Sequence, residues 1–309
     1  MNTLDFVAET CDGMCELFPK LETNDMNEVA NTILPYFEKY HLLEVPEIGY
    51  SVDHSFMVHS FQNWKKYKQV YRINKEFSKI LPRSNTIKIS SINLPFSNFF
   101  IEMGTDLDFE LGTPVGALIE LSKSERNNKF ENYLSIIILR DNERETSLYT
   151  FYDENSTFDD IFDIDRDYDN RYKEAEAKKD RILIKEYAYT IISVLCYLSM
   201  EKPDISKPTK KKVDKVIKGK KVKLVNIKES AVGDRYIKYY KKTKKDVSAE
   251  TNRKSVYGYK QPPVFRSGHF KSVRYGKGKK KSKIVWVDGY RTHKEITGDF
   301  KTIREVNKK

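Results

Sequence analysis

The chain reads as an α+β protein, with N-terminal helices, an antiparallel sheet of about five strands, a closing helix and a basic C-terminal β-hairpin appendage. Three observations predict this. Apolar residues recur at three-to-four spacing through the first third of the chain, β-branched and aromatic runs bounded by turn residues follow between 86 and 152, and lysine dominates after Pro203.

Leu4, Val7, Cys11, Met14, Cys15 and Phe18 share one helical face, which makes the two cysteines core residues. A second helix is expected from Asn24 or Asp25 to Pro35, where the missing N–H ends or kinks it. Residues 52 to 81 read as one longer helical region with room for a short break. The strands are then TIKISSI (86–92), NFFIEM (98–103), GALIELS (116–122), YLSIIILR (133–140) and SLYTFY (147–152). A helix over about 171–200 closes the body. Its apolar run AYTIISVLCYLSM is about half the length that crosses a bilayer, so it reads as a buried face. These elements suggest an acidic body over 1–203, a lysine-rich connector over 204–250 holding a short helix at RYIKYYKKTKKD, and a basic aromatic region over 251–309.

Charge divides the same way. Of the formal net charge of +11, residues 1–200 supply 22 Lys+Arg against 34 Asp+Glu, and the remaining 109 residues supply 34 against 11. A segment that basic concentrates polyanions, because each bound phosphate releases condensed counterions. Nucleic acid is therefore the leading partner class. Three cysteines, Cys11, Cys15 and Cys196, form no disulfide framework or zinc spacing and fit a reducing cytosol. Asp5, Glu9 and Asp12 stand where an export signal needs positive charge.

The stretch RSGHFKSVRYGKGKKKSKIVWVDGYRTH (266–293) carries the densest chemistry. Two apolar runs flank a Lys-Gly turn, the pattern of a hairpin. Phe270, Tyr275, Trp286 and Tyr290 are candidate stacking surfaces, and Arg266, His269, Lys271, Arg274, Lys277, Lys279, Lys280, Lys281 and Arg291 are candidate RNA contacts. The competing reading makes Phe270 and Trp286 the hairpin's own small core beneath a solvated loop. GKGKKKS lacks the GxxxxGK[ST] spacing of a nucleotide-binding loop, which removes ATP or GTP chemistry.

Other constellations are weaker. His269 and His293 are the candidates for proton transfer in a metal-independent ribonuclease. His54 and His59, five apart on a helix, do not align as metal ligands. DDIFDIDRDYD (159–169) lacks the glycine and terminal glutamate of a calcium loop and reads as a solvated acidic face. No metal or cofactor is expected. The lysine run 207–223 is either a solvated connector or a phosphate-binding stretch.

Three ordered blocks resemble a known family. They are FQNWKKYKQVYRINKEFSKIL with TIKISSINLPFSNFFIEM, then VLCYLSMEKPDI, then FRSGHFKSVRYGKG with KIVWVDGYRTH. The family is the type V-A anti-CRISPR family that suppresses biosynthesis of the effector nuclease, with relatives on phages and plasmids. Its terminal motif falls on Arg266, Gly268, His269, Phe270, Tyr275, Gly276, Gly278 and Trp286; Phe270 stands where relatives usually carry tryptophan, and the turn is richer in lysine. The resemblance implies a non-enzymatic adaptor in the cytoplasm of a bacterial host, which recognises a nascent polypeptide of a defence system and lowers its message. With that function, the aromatics Trp64, Tyr67, Tyr71, Phe99 and Phe100 become candidates for a peptide groove beside the sheet, and RNA or the ribosome the partner of the basic tail. A phage or plasmid DNA-binding protein is the alternative, although no helix-turn-helix signal is present.

Overall fold

Nothing in the composition of FQNWKKYKQVYRINKEFSKIL interrupts a helix, yet the computed structural model of the protein divides this stretch into helix, strand and helix. The structure describes residues 48–82, 87–110, 112–126, 129–141, 145–159, 175–217, 220–242, 245, 264–266, 268–279, 281–287 and 290–292. The helices expected over 4–18 and 24–35, and the acidic run from 160 to 169, lie outside these residues. Helix α1 (Ile48–Tyr67) ends where Lys68 turns into the left-handed region, at φ 52, and its N–H donates to the carbonyl of Trp64 at 2.7 Å. Strand β1 (Gln69–Ile73) follows at once, and the indole N–H of Trp64 donates to the carbonyl of Gln69 across the corner at 3.0 Å. Asn74 then caps the short helix α2 (Lys75–Ile80), its side-chain oxygen accepting from the N–H groups of Glu76 and Phe77.

A lysine in the left-handed region carries a Cβ penalty that glycine avoids, and a β-branched residue there is worse. Lys68→Val is expected to lower the unfolding free energy by about 1–2 kcal/mol. Lys68→Gly should stay near neutral, because its lower strain is offset by greater freedom in the unfolded chain. Urea unfolding of the two variants checks the contrast.

Strands β2 (Asn98–Glu102), β3 (Pro114–Arg126), β4 (Lys129–Arg140) and β5 (Glu145–Tyr152) match four of the five expected runs. The fifth, TIKISSI, is a 3₁₀ turn at Ile89–Ser91 with a single bridge from Lys88 to Thr157. Helix α3 (Ala175–Leu198) closes the body as expected. No helix among the described residues is long and apolar enough to cross a membrane.

The sheet differs most from expectation. Among the described residues it has seven strands, in the order β5-β4-β3-β2-β1-β7-β6, and it is mixed: β1 pairs in parallel with both β2 and β7, while the other pairs are antiparallel. Three of its strands are missing from the sequence reading: β1, which lies within the expected helical region, and β6 (Thr209–Ile217) and β7 (Lys220–Val232), which come from the stretch expected to be a connector. Alternating valine, leucine and isoleucine between its lysines supply the strand signal, and their number hides it. Lysine suits the outer strand β6, because a charged edge resists pairing with another chain.

Both faces of the sheet are covered. Val70, Phe100, Leu118, Ile137 and Ile227 pack on one side with Met57, Phe61 and Trp64 of α1. Tyr71, Phe99, Ile101, Ile119 and Ile136 pack on the other with α3, through residues such as Tyr187, Ile191 and Leu195. Removing one large aromatic or aliphatic side chain of this kind from water contributes about 1.5–3 kcal/mol. The Tyr187 hydroxyl fixes α3 further by donating to the carbonyl of Met103 at 2.6 Å.

Beyond β7 the chain forms a helix over residues 234–242 (α4), where the sequence places one. Strands β8 (Val264–Arg266), β9 (His269–Tyr275), β10 (Lys281–Val287) and β11 (Tyr290–Thr292) follow, and β9 pairs with β10 as the predicted hairpin. That hairpin is no free appendage. Trp286 lies edge-on to Tyr197 of α3 and to Tyr236 of α4, with centroids 6.3 and 5.6 Å apart.

Candidate nucleic-acid interface

An aromatic cluster seats the basic C-terminal part. Phe77 of α2 meets Tyr197 and Tyr236 edge-on at 4.7 and 5.6 Å, and Phe270 meets Trp286 at 4.9 Å. Two glycines make room for it. A Cβ on Gly268 would stand 2.2 Å from the Trp286 ring, and one on Gly233 would stand 2.2 Å from the Phe77 ring. Gly233 also has φ +86, a conformation that favours glycine.

Asp204 does the corresponding polar work. Its carboxylate accepts from the N–H groups of Arg235 and Tyr236 at 2.7 and 3.0 Å and from the Arg235 guanidinium, capping α4 from a distant segment. Its own N–H donates to the Tyr197 hydroxyl at 2.9 Å, and its carbonyl accepts from Gly233. The Pro-Asp pair and the Arg-x-Gly-His motif are therefore joined through Tyr197, Tyr236 and Trp286. Asp204→Ala should cost about 0.5–2 kcal/mol, the range for loss of an N-cap. Hydrogen exchange should show the loss first at 234–242, and Asp204→Asn, which keeps an acceptor, should cost less.

With those side chains turned inward, the outward surface is cationic. Lys271, Arg274, Lys277 and Lys283 are exposed on the hairpin, and Arg235, Lys238, Lys241 and Lys242 on α4. Three of these eight meet carboxylates: Arg235 with Asp204, Lys241 with Glu76, and Lys283 with Glu201 at 3.4 Å. Lys238, Lys242, Lys271, Arg274 and Lys277 have no ion pair among the described residues. Tyr275 keeps 44% of its surface, and the ammonium of Lys283 lies 5.7 Å over its ring.

The structure thus sorts the predicted RNA contacts. Lys271, Arg274, Tyr275 and Lys277 face water, as does His269, which makes no ion pair or side-chain hydrogen bond among the described residues. Phe270 and Trp286 are half-buried and pack in the aromatic cluster, in keeping with the reading that made them core, with that core extended into the body. Arg266, Tyr290 and Arg291 sit in the paired strands β8 and β11, at the register Tyr290↔Arg266 and Arg291↔Phe265. Their side chains, and those of Lys279 and Lys281, lie outside the described ones, as do Lys280 and His293 altogether.

The peptide-groove candidates need a larger correction. Trp64, Tyr71, Phe99 and Phe100 are 3% exposed or less and fill the two cores, because β1 and β2 are central strands covered on both faces and Trp64 lies on the face of α1 that covers one of them. Tyr67 alone remains accessible, at 41%, tilted toward Phe96 at 6.3 Å.

Sequence reading missed a buried polar cluster under α1. The Glu120 carboxylate accepts from the Ser60 hydroxyl and from the Asn63 amide at 2.8 Å, and lies 3.3 Å from His59 Nδ1. The Tyr133 hydroxyl stands 3.4 Å from the same nitrogen. Burial alone would push the Glu120 carboxyl up, but the hydrogen bonds and charge of His59, with Ser60 and Asn63, leave it below the usual range. Burial and the Glu120 charge push the Tyr133 phenol up. Serine, histidine and a carboxylate in contact suggest a hydrolytic triad, but there the histidine lies between the other two. Here the carboxylate is central and Ser60 is fully buried, so the cluster fastens α1 to β3. A lone glutamate inside the apolar run GALIELS was its only sequence signal. Asp153, upstream of the acidic run, closes a turn by accepting from the N–H groups of Asn155 and Ser156.

A model of the anti-CRISPR type V subtype A2 family, described as AcrVA2-like, matches residues 71–290, from within β1 to the start of β11. That match defines the class, a type V-A anti-CRISPR protein. The chain belongs to the AcrVA2-like family. Among solved structures, one titled "Crystal structure of AcrVA2" is similar at 15% identity and a TM-score of 0.49, covering 93% of each chain. No curated protein matches.

Proposed function

We propose that the protein is a non-enzymatic anti-CRISPR adaptor that recognises a nascent polypeptide of a bacterial type V-A defence system and lowers its synthesis by reducing the message. Its basic C-terminal part contacts RNA at or near the ribosome. Family membership supports the defence target. One observation carries the RNA contact: five exposed cations, Lys238, Lys242, Lys271, Arg274 and Lys277, without ion pairs among the described residues, on elements anchored to the body. Such cations exchange bound counterions for phosphate.

Co-expression with an effector gene in a bacterial host tests this reading. Message and ribosome-bound fragments of that gene should fall selectively, and should still fall after synonymous recoding of its first codons. Changing the encoded N-terminal residues should abolish the loss. A loss that follows the nucleotide sequence and ignores the peptide would overturn the reading.

A further inference from the structure

The hairpin's two faces differ in what they offer a nucleic acid, and the difference selects between single-stranded and duplex RNA. In the register Phe270↔Trp286, Ser272↔Ile284 and Arg274↔Ser282, one face turns its rings to the body and ends in exposed Arg274. The opposite face carries Lys271, Tyr275 and Lys283, and Lys277 sits at the turn. Cations thus lie on both sides of a narrow two-stranded ribbon whose tip is exposed from Arg274 to Gly278.

Proteins that grip single strands stack successive bases on several open aromatic faces. Phe270 and Trp286 are committed to the aromatic cluster, and Tyr275 already has the Lys283 ammonium over its ring. No second open ring remains among the described residues of the ribbon. What remains is charge on two sides, which matches the paired phosphate rails of a helical groove. A-form RNA has a deep, narrow major groove in which base edges are out of reach of side chains, so duplex RNA is recognised by shape and backbone.

We propose that the β9–β10 ribbon seats between the phosphate rails of a double-stranded RNA stem and holds it by backbone contacts from both faces, independent of base sequence. The proposal rests on the RNA contact proposed above. It adds the form of RNA and the mode of binding.

Full-length protein is titrated against a 20-base-pair RNA duplex, one of its strands alone, and a DNA duplex of the same sequence, at several salt concentrations. The RNA duplex should bind most tightly, with Lys271, Arg274 and Lys277, the hairpin cations without an ion pair among the described residues, contributing about −2.7 to the slope of log K against log salt if each engages one phosphate. In the Lys271→Gln, Arg274→Gln, Lys277→Gln triple variant that contribution should be lost, making the slope shallower by about 2.7. Tyr275→Ala should change affinity by less than about threefold, whereas loss of a stacked base would read as about five- to 150-fold. Unchanged thermal unfolding shows that the variants remain folded.

Preference for the single strand, with a large loss on Tyr275→Ala, would overturn the duplex proposal and leave RNA contact standing. Equal or better binding of the DNA duplex, or a slope unmoved in the triple variant, would overturn it too. Absence of saturable binding to either RNA would overturn the RNA contact itself, and the duplex proposal with it.

Discussion

Trp286→Ala is expected to lower the unfolding free energy by about 3 kcal/mol or more and to release the C-terminal hairpin from the body. The indole is the one side chain that touches Phe270 in its own hairpin, Tyr197 in α3 and Tyr236 in α4. Truncation leaves a cavity bounded by three rings on three elements, and a two-stranded ribbon has little independent stability in water. The deficit should appear in urea unfolding, and hydrogen exchange should locate it in β9, β10 and α4. Trp286→Phe should recover most of the loss, since the indole N–H has no hydrogen-bond partner among the described residues and its ring surface is what packs. Gly268→Val approaches the same contact from the other side and should reproduce the defect, because its Cβ would stand 2.2 Å from the indole. If RNA contact depends on the seated ribbon, both variants should weaken it although neither removes a cation. Full protection of β9 and β10 in Trp286→Ala would show that the hairpin does not depend on this anchor.

Glu120→Ala should be the second large loss, about 3–5 kcal/mol, because it removes a buried charged acceptor and leaves several buried polar groups unsatisfied at about 1–3 kcal/mol each. It strands His59, Ser60 and Asn63 beneath α1 without their acceptor. Glu120→Gln keeps the shape and one acceptor but presents an N–H₂ to groups that donate, and should fall between. The pH dependence follows from the direction of the shift. A carboxyl whose folded pKa lies below its unfolded value binds fewer protons when folded, so its stabilising contribution is complete above the unfolded value, about 4.3. That contribution should decline as the pH falls from about 4.3 through the folded pKa, and this part of the acid slope should disappear in Glu120→Gln. Parallel acid-unfolding slopes in the two proteins would remove Glu120 as the cause.

Much of the architecture was legible. NFFIEM, GALIELS, YLSIIILR and SLYTFY are strands, the run ending in VLCYL is a helix, and the paired runs around GKGKKK are a hairpin, each marked by strong local periodicity or turn chemistry. QVYRI was not legible: five residues between two helical segments carry too short an alternation to announce a strand, and the corner depends on a lysine in a glycine-like conformation. The β6–β7 stretch hid its alternating valines among lysines, whose long stems can line a sheet while their charges stay in water. Of the candidate site, the exposed cations were found by charge alone. The Asp204 cap and the Glu120 cluster escaped, because each joins residues between 31 and 61 positions apart.

By itself, the sequence determined the α+β class, the acidic and basic division of the chain, the hairpin and the family it resembles, since these depend on composition, on local spacing or on motifs quoted in order. Only the tertiary structure decided that β1 lies in the middle of a mixed sheet, that the lysine-rich stretch completes it, and that Trp64, Tyr71, Phe99 and Phe100 face inward. An aromatic side chain has the same chemistry whether it packs or binds. Which of the two it does is fixed by what the rest of the chain brings against it, and periodicity within one segment carries no record of that.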